Sequence, residues 1–324
     1  MFAAGLAGPA FGQAGSRIES LSAMRDLDAR VATVGHRLAV AGVDLCATTA
    51  WLPGIALHDL SQYGADFRDA AIRAFGIDAG PGVLALAEGG PAEQAGVRRD
   101  DIILDLDGTA LPAGRPDEPR TFERMEALLE ALEAAFADRV AVIGLRRGGG
   151  RLEVEVRGAR GCASRFQLIP SRRLNALADG RYVQVTSAIG AYVGSDDELA
   201  AVLAHELAHN ILRHRARLDA AGIQRGVLRQ FGRNARLTRE TEQEADRFAV
   251  YLLDRAGYDL GAALAFWERF GRRGLNFLGS PTHGSWRTRV ALIRREVEAV
   301  RRARALGEIP APPIAAPAGE DSGR

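Results

Sequence analysis

Two histidines four residues apart enclose a glutamate in the stretch Ser195-Asp196-Asp197-Glu198-Leu199-Ala200-Ala201-Val202-Leu203-Ala204-His205-Glu206-Leu207-Ala208-His209-Asn210-Ile211-Leu212. On a helix, His205 and His209 project from one face a turn apart, the spacing two ligands of one metal ion require. Glu206 is placed to reach a water on that ion as general base. This is the H-E-x-x-H arrangement, in which zinc and the glutamate act together. The residues around it argue against chance. Leu199, Val202, Leu203, Leu207, Ala208 and Ile211 make the helix largely apolar, so it is expected to be buried, and two imidazoles with a carboxylate are costly there unless something pairs with them.

A catalytic zinc takes three protein ligands and keeps a fourth position open. The stretch Glu240-Thr241-Glu242-Gln243-Glu244-Ala245-Asp246-Arg247-Phe248-Ala249 offers the third. Glu242 and Asp246 share a helix face, whereas Glu244 lies about 200° round it. Glu242 is read as the ligand and Asp246 as the group that orients a ligand histidine from behind. His214, five residues beyond His209, points off the ligand face of a continuous helix and is not read as a ligand.

Several elements must position these groups. Ser195 or Asp196 can cap the first helix, and the acidic residues after them suit its positive end. Before it, Tyr182-Val183-Gln184-Val185-Thr186 alternates like a half-buried strand that could pair with an extended substrate through Val183 and Val185. Further back, residues 15–74 read as helical, with one helix over Ile18 to Leu38 and another over Ala65 to Phe75. Residues 75–160 change character: a strand at Gly82–Leu86, a short Pro91-Ala92-Glu93-Gln94-Ala95-Gly96 helix and turn, a strand over Ile102–Leu106, a long helix over Thr121–Phe136 and a closing hairpin. The Arg-rich segment 213–239 reads as a solvated or gating stretch. Residues 307–324 are Pro/Ala-rich and read as a disordered tail.

Composition bounds the rest. At 324 residues the chain has room for two or three domains, and a 47% hydrophobic content with net charge +1 describes an ordinary soluble protein. All 42 basic residues are Arg, which with the Ala and Gly load reflects codon bias, and no aromatic residues interleave with them to suggest a nucleic-acid surface. No run reaches the eighteen or so apolar residues of a membrane span. Residues 1–14 resemble the later part of a secretory signal, though without its basic start, so the reading is export to the periplasm or beyond. In that setting Cys46 and Cys162 are compatible with one disulfide and equally with two buried thiols.

The strand, the G-P-A-x-x-A-G helix and the D-x-I-L-x-x-x-G strand of residues 75–160 resemble a PDZ domain of the bacterial protease-associated kind. The resemblance places a peptide-carboxylate loop at Phe75-Gly76-Ile77. In residues 163–306, "Asn175-Ala176-Leu177-Ala178-Asp179-Gly180", H-E-L-A-H-N and E-Q-E-A-D-R resemble the HtpX/CAAX-prenyl-protease-like metallopeptidase family, in its soluble periplasmic BepA-type branch. The resemblance implies Glu242 as third zinc ligand with Asp246 beside it, and a later element at Pro281-Thr282-His283-Gly284 through Arg289-Val290, where Gly284 replaces the family's usual Pro. It makes His283 and Arg289 candidates to stabilise an oxyanion, or His283 a plug that keeps the enzyme latent.

The fold these readings imply is α+β and multidomain. A mainly helical zincin-type metallopeptidase domain with a small β-sheet (163–306) is preceded by a β-rich PDZ-like domain (75–160) and a helical N-terminal region (15–74). One Zn²⁺ per chain, protein or peptide substrates and hydrolysis of misfolded or envelope proteins follow, with membrane association and oligomeric state left open. A binding or chaperone protein with a structural zinc site is the competing expectation. Glu206 weighs against it, because a structural site has no need of a carboxylate between its histidines.

Overall fold

The computed structural model describes residues 9–78, 80–114, 120–223, 232–273 and 285–314, with side chains described from residue 15 and, after the gap in the Arg-rich region, from 234. In chain order, helix α1 (Pro9–Ala41) leads to strands β1 (Thr49–Leu52) and β2 (Ile55–His58), helix α2 (Ala65–Phe75), strand β3 (Gly82–Leu86), the one-turn helix α3 (Pro91–Gln94) and strands β4 (Ile102–Leu106) and β5 (Thr109–Ala110). Helix α4 (Glu123–Ala135) precedes strands β6 (Val140–Arg147), β7 (Gly150–Arg157), β8 (Ala159–Cys162), β9 (Arg165–Ile169), β10 (Ala176–Ala178) and β11 (Tyr182–Thr186). Helices α5 (Ser187–Tyr192), α6 (Asp196–Ile211), α7 (His214–Ala220), α8 (Gly232–Arg255), α9 (Leu260–Arg272) and α10 (Trp286–Ala305) complete it. These elements form two compact units, one of Met1–Thr33 with Trp51–Ala159 and one of Val34–Ala50 with Arg160–Arg324.

The first unit is an antiparallel sheet in the order β2-β3-β4-β6-β7, with β5 paired to β4. Helix α4 packs Met125, Leu128 and Leu132 into one core with Val83, Ile103, Ile143, Leu145 and Val156; of these strands only the outer β7 alternates buried and exposed residues. The sheet starts earlier than residue 75, because Ile55–His58 pairs with β3. That strand lies inside the stretch read as helical; four residues are too few for alternation to declare them against the helices on either side. Helix α2 matches its expected bounds. At Phe75-Gly76-Ile77, read as a loop whose backbone amides hold a peptide carboxylate, the Gly76 amide is instead taken by the Ile72 carbonyl at 2.9 Å, and the Phe75 and Ile77 side chains pack with Leu60, Ala71 and Ile102. They are core, and Gly76 (φ 62°) is the left-handed C-cap of α2.

The second unit holds α6 against a three-stranded sheet ordered β10-β11-β9. Strand β11 is central, antiparallel to β10 and parallel to β9, so both its edges are filled. Val183 and Val185 are fully buried, which removes them as a substrate-pairing edge. The last turns of α1 also belong here: Val34, Leu38 and Ala39 are buried, and a Cβ at Gly35 would stand 2.3 Å from the Phe166 ring. Cys46 and Cys162 form a disulfide with Cα atoms 5.5 Å apart. Among the described residues no helix is long and apolar enough to cross a membrane.

Candidate metal centre

Helix α6 is built to carry polar groups into an apolar interior. Ser195 caps it by accepting the Glu198 amide, Asp196, Asp197 and Glu198 occupy its first turn, and Glu198 takes a bidentate pair from Arg269 of α9 at 2.7 and 2.6 Å. Twelve of its sixteen residues are buried, His205 and Glu206 among them, so nothing but structure around them can compensate their polarity. Helix α8 lies alongside and brings Glu242 and Asp246, both buried, to the same point.

The Nε2 atoms of His205 and His209 stand 3.2 Å apart. Glu242 Oε2 lies 3.4 Å from the first and Glu242 Oε1 3.6 Å from the second. Bonds of about 2.0–2.1 Å in a tetrahedral zinc site put ligand atoms about 3.3 Å apart, close to the histidine separation and to the distance from each ring to its nearer Glu242 oxygen, so the three side chains could hold a metal ion. The carboxylate Oε1 of Glu206 is buried with no hydrogen-bond partner among the described residues.

Behind the ligands the structure supports each ring separately. Asp246 Oδ1 lies 3.1 Å from His205 Nδ1, and Arg289 of α10 clasps Asp246 through two 2.7 Å hydrogen bonds. On the other side, His209 Nδ1 meets His214 Nδ1 at 2.9 Å, and His214 Nε2 meets Glu244 Oε2 at 3.0 Å. Arg217 holds Glu244 in turn, at 2.5 and 3.3 Å.

Electrostatics follow this layout. Burial opposes charge on His205, but Asp246 and Glu242 outweigh it and lift its pKa to about 9. Burial alone dominates at His209 and holds it well below the usual imidazole range. Burial pushes Glu206 up to about 7, Glu242 adding to that and His205 opposing it. Burial would raise Asp246 too, yet the Arg289 guanidinium brings it down to about 2. Glu244 falls to about 2 because His214 and Arg217 overcome its desolvation.

The residues read from the sequence as ligands, base and orienting aspartate thus converge. Arg289 is corrected: its guanidinium is committed to Asp246, on the side of His205 away from the metal-facing nitrogens, where it positions rather than stabilises an oxyanion. His283 lies outside the described residues. The roles of His214 and Glu244 were missed. The α6 helix ends at Leu212, and Arg213 takes a left-handed conformation (φ 52°, ψ 36°) that starts α7 at His214 in a new direction. Only that break brings His214 back beside His209, and nothing in the sequence around Arg213 announces it.

Comparison with known proteins agrees with the geometry. Residues 160–233 match the profile of peptidase family M48, a segment that contains His205, Glu206 and His209 and stops short of Glu242. The mitochondrial metalloendopeptidase OMA1 of Schizosaccharomyces pombe is 33% identical over 120 residues, covering 30% of this chain and 36% of that protein. The putative beta-barrel assembly-enhancing protease of Vibrio cholerae is 31% identical over 133 residues (32% and 28%), and the Escherichia coli beta-barrel assembly-enhancing protease 32% identical over 133 residues (32% and 27%). The aligned stretch thus spans only about a quarter to a third of those relatives. Among solved structures, the HtrA3 PDZ domain bound to a phage-derived ligand aligns with 35% of this chain and 89% of its own, at 17% identity and a TM-score of 0.26. The segment that carries the two histidines and the glutamate is thus similar to peptidase family M48, with relatives among the beta-barrel assembly-enhancing proteases and OMA1.

Proposed function

We propose that the chain is a zinc-dependent endopeptidase that hydrolyses peptide bonds of misfolded or envelope proteins in the periplasm. The observation that carries this is the convergence of His205, His209 and Glu242 at zinc-ligand spacing beside a buried, unpartnered Glu206 oxygen. When bound, zinc supplies Lewis acidity to the scissile carbonyl and makes water a better nucleophile near neutral pH. Glu206 removes the proton from the attacking water and returns it to the amine nitrogen as the C–N bond breaks. His205, His209 and Glu242 hold the ion, while Asp246 and Arg289 fix the His205 ring.

A substrate strand needs a free sheet edge. With β11 enclosed, the candidate is β10, an outer strand whose Leu177 is 36% exposed. In the first unit, the PDZ-like reading moves from Phe75-Gly76-Ile77 to the outer strand β2, entered through Pro53-Gly54 with Gly54 at φ 75°. Peptide recognition there would select or gate substrates. The test is cleavage of an unfolded protein with and without a chelator, beside capture of substrates by Glu206→Gln. Cleavage that survives zinc removal, or a Glu206→Gln variant as active as the parent, would overturn the reading.

A further inference from the structure

Helix α8 presents three carboxylates at two-residue intervals, and each has a different imidazole or pair of imidazoles to serve. Glu242 faces both Nε2 atoms, and Asp246 backs His205 directly. Glu244 cannot reach His209, being turned about 200° from Glu242. It meets His214 instead, and His214 meets His209.

The direction of these bonds is forced. If His209 offers Nε2 to a metal, its proton sits on Nδ1 and must be donated. Its partner there is His214 Nδ1, which can accept only if His214 carries its own proton on Nε2. That proton then points at Glu244 Oε2, an acceptor that Arg217 holds in place. Every donor faces an acceptor along the chain from His209 to Arg217. Reversing one tautomer breaks two bonds at once. His214 is 1% exposed, so water does not substitute for either partner.

We propose that His214 is a positioning residue that sets the metal-binding tautomer and orientation of His209 through an imidazole relay anchored on Glu244. This rests on the zinc-peptidase reading above. The two ligand histidines are then supported unequally, His205 by a carboxylate at its ring and His209 by a carboxylate one imidazole removed. Loss of outer support of this kind costs 10–100-fold in metal affinity.

The test uses the full chain carrying Glu206→Gln, so that self-cleavage does not intrude, and reads zinc affinity by chelator competition. His214→Phe keeps the ring volume and removes both nitrogens, and zinc affinity falls about 10–100-fold. His214→Asn places an acceptor where Nδ1 was, and keeps affinity within about threefold of the parent; His214→Gln places its amide where Nε2 was, and falls with the Phe variant. A residue that merely fills space would not separate Asn from Gln. Because the chain has six histidines, ¹⁵N-imidazole spectra of the unsubstituted, metal-free protein give an independent reading without any His214 variant. They should show His209 protonated on Nδ1 and His214 on Nε2. The opposite tautomers, or His214→Phe and His214→Gln binding zinc as tightly as the parent, would overturn the relay. A parent protein that binds no zinc at all would instead overturn the peptidase reading beneath it.

Discussion

Arg289→Met is the perturbation that most directly asks what holds His205. Arg289 and Asp246 are 8% and 1% exposed and share two 2.7 Å hydrogen bonds, so neither charge has water to fall back on. Removing one partner of such a pair strands the other, at a cost of about 3–5 kcal/mol. Methionine fills most of the vacated volume, so little of that cost comes from a cavity. The magnitude is best read in metal-free protein, where zinc cannot add its own linkage, from the denaturant transition that reports the second unit. Asp246→Asn alone strands Arg289 in the same way, while the double variant leaves neither partner of the pair charged. The two single losses therefore exceed the double loss by at least about 2 kcal/mol. In a second assay, both single variants bind zinc about 10–100-fold more weakly. Additive losses near 1 kcal/mol with unchanged zinc affinity would refute the claim that this pair holds the ligand. A fall in turnover alone, with stability and zinc binding intact, would restore the oxyanion role that the sequence suggested for Arg289.

Three further outcomes follow from other parts of the structure. The Cys46–Cys162 disulfide closes a loop across a separation of 116 residues, for which the chain-entropy relation gives about 5 kcal/mol; replacing both cysteines by Ala should lower the second unit's stability by roughly 2–5 kcal/mol and abolish its response to reductant. Burial pushes the Asp28 carboxyl up to about 7, so its protonated form is favoured by folding; that contribution is complete below about pH 4 and is lost as pH rises through 7. Asp28 keeps some access to water, so the loss is on the order of 1–2 kcal/mol rather than the full value of the shift, and Asp28→Asn should flatten that limb of a stability–pH profile. Asn210 accepts the Gly180 amide at 2.7 Å and donates to Ser164 Oγ and the Tyr182 carbonyl, both at 3.1 Å; Asn210→Ala should raise KM for an unfolded substrate while leaving zinc affinity unchanged, since it frees the β10–β11 turn without touching a ligand.

What could be read from the sequence divides along the range of the forces involved. The placement of His205, Glu206, His209, Glu242 and Asp246 was legible because one helical period fixes each set, and the uninterrupted apolar run around the first set declares that helix. The strands Gly82–Leu86 and Tyr182–Thr186 were legible for the same reason. Short strands were not: Ile55–His58 and Ala176–Ala178 hold their places through the neighbours they pair with, which no local pattern records. The same blindness misassigned two edges. Val183 and Val185 alternate as an edge strand does, yet β10 and β9 take both sides of them. An apolar-Gly-apolar triplet occurs at Phe75-Gly76-Ile77, and only the packing of both apolar residues into the core shows it to be a helix end.

Charge balance bears on what the cluster could hold. Glu206, Glu242 and Asp246 are all within 2% of full burial, and Arg289 is the buried cation set against them. Glu244 and Arg217 neutralise each other at the half-exposed rim. With the imidazoles neutral and Glu206 ionised, as metal ligation would demand, the interior of the site would carry two negative charges in excess. One divalent cation would offset that excess in a low-dielectric interior. A set of two imidazoles and one carboxylate suits zinc better than the oxygen-preferring calcium and the strictly octahedral magnesium. The ligand distances and the charge count both suit a divalent ion at the point where His205, His209 and Glu242 meet.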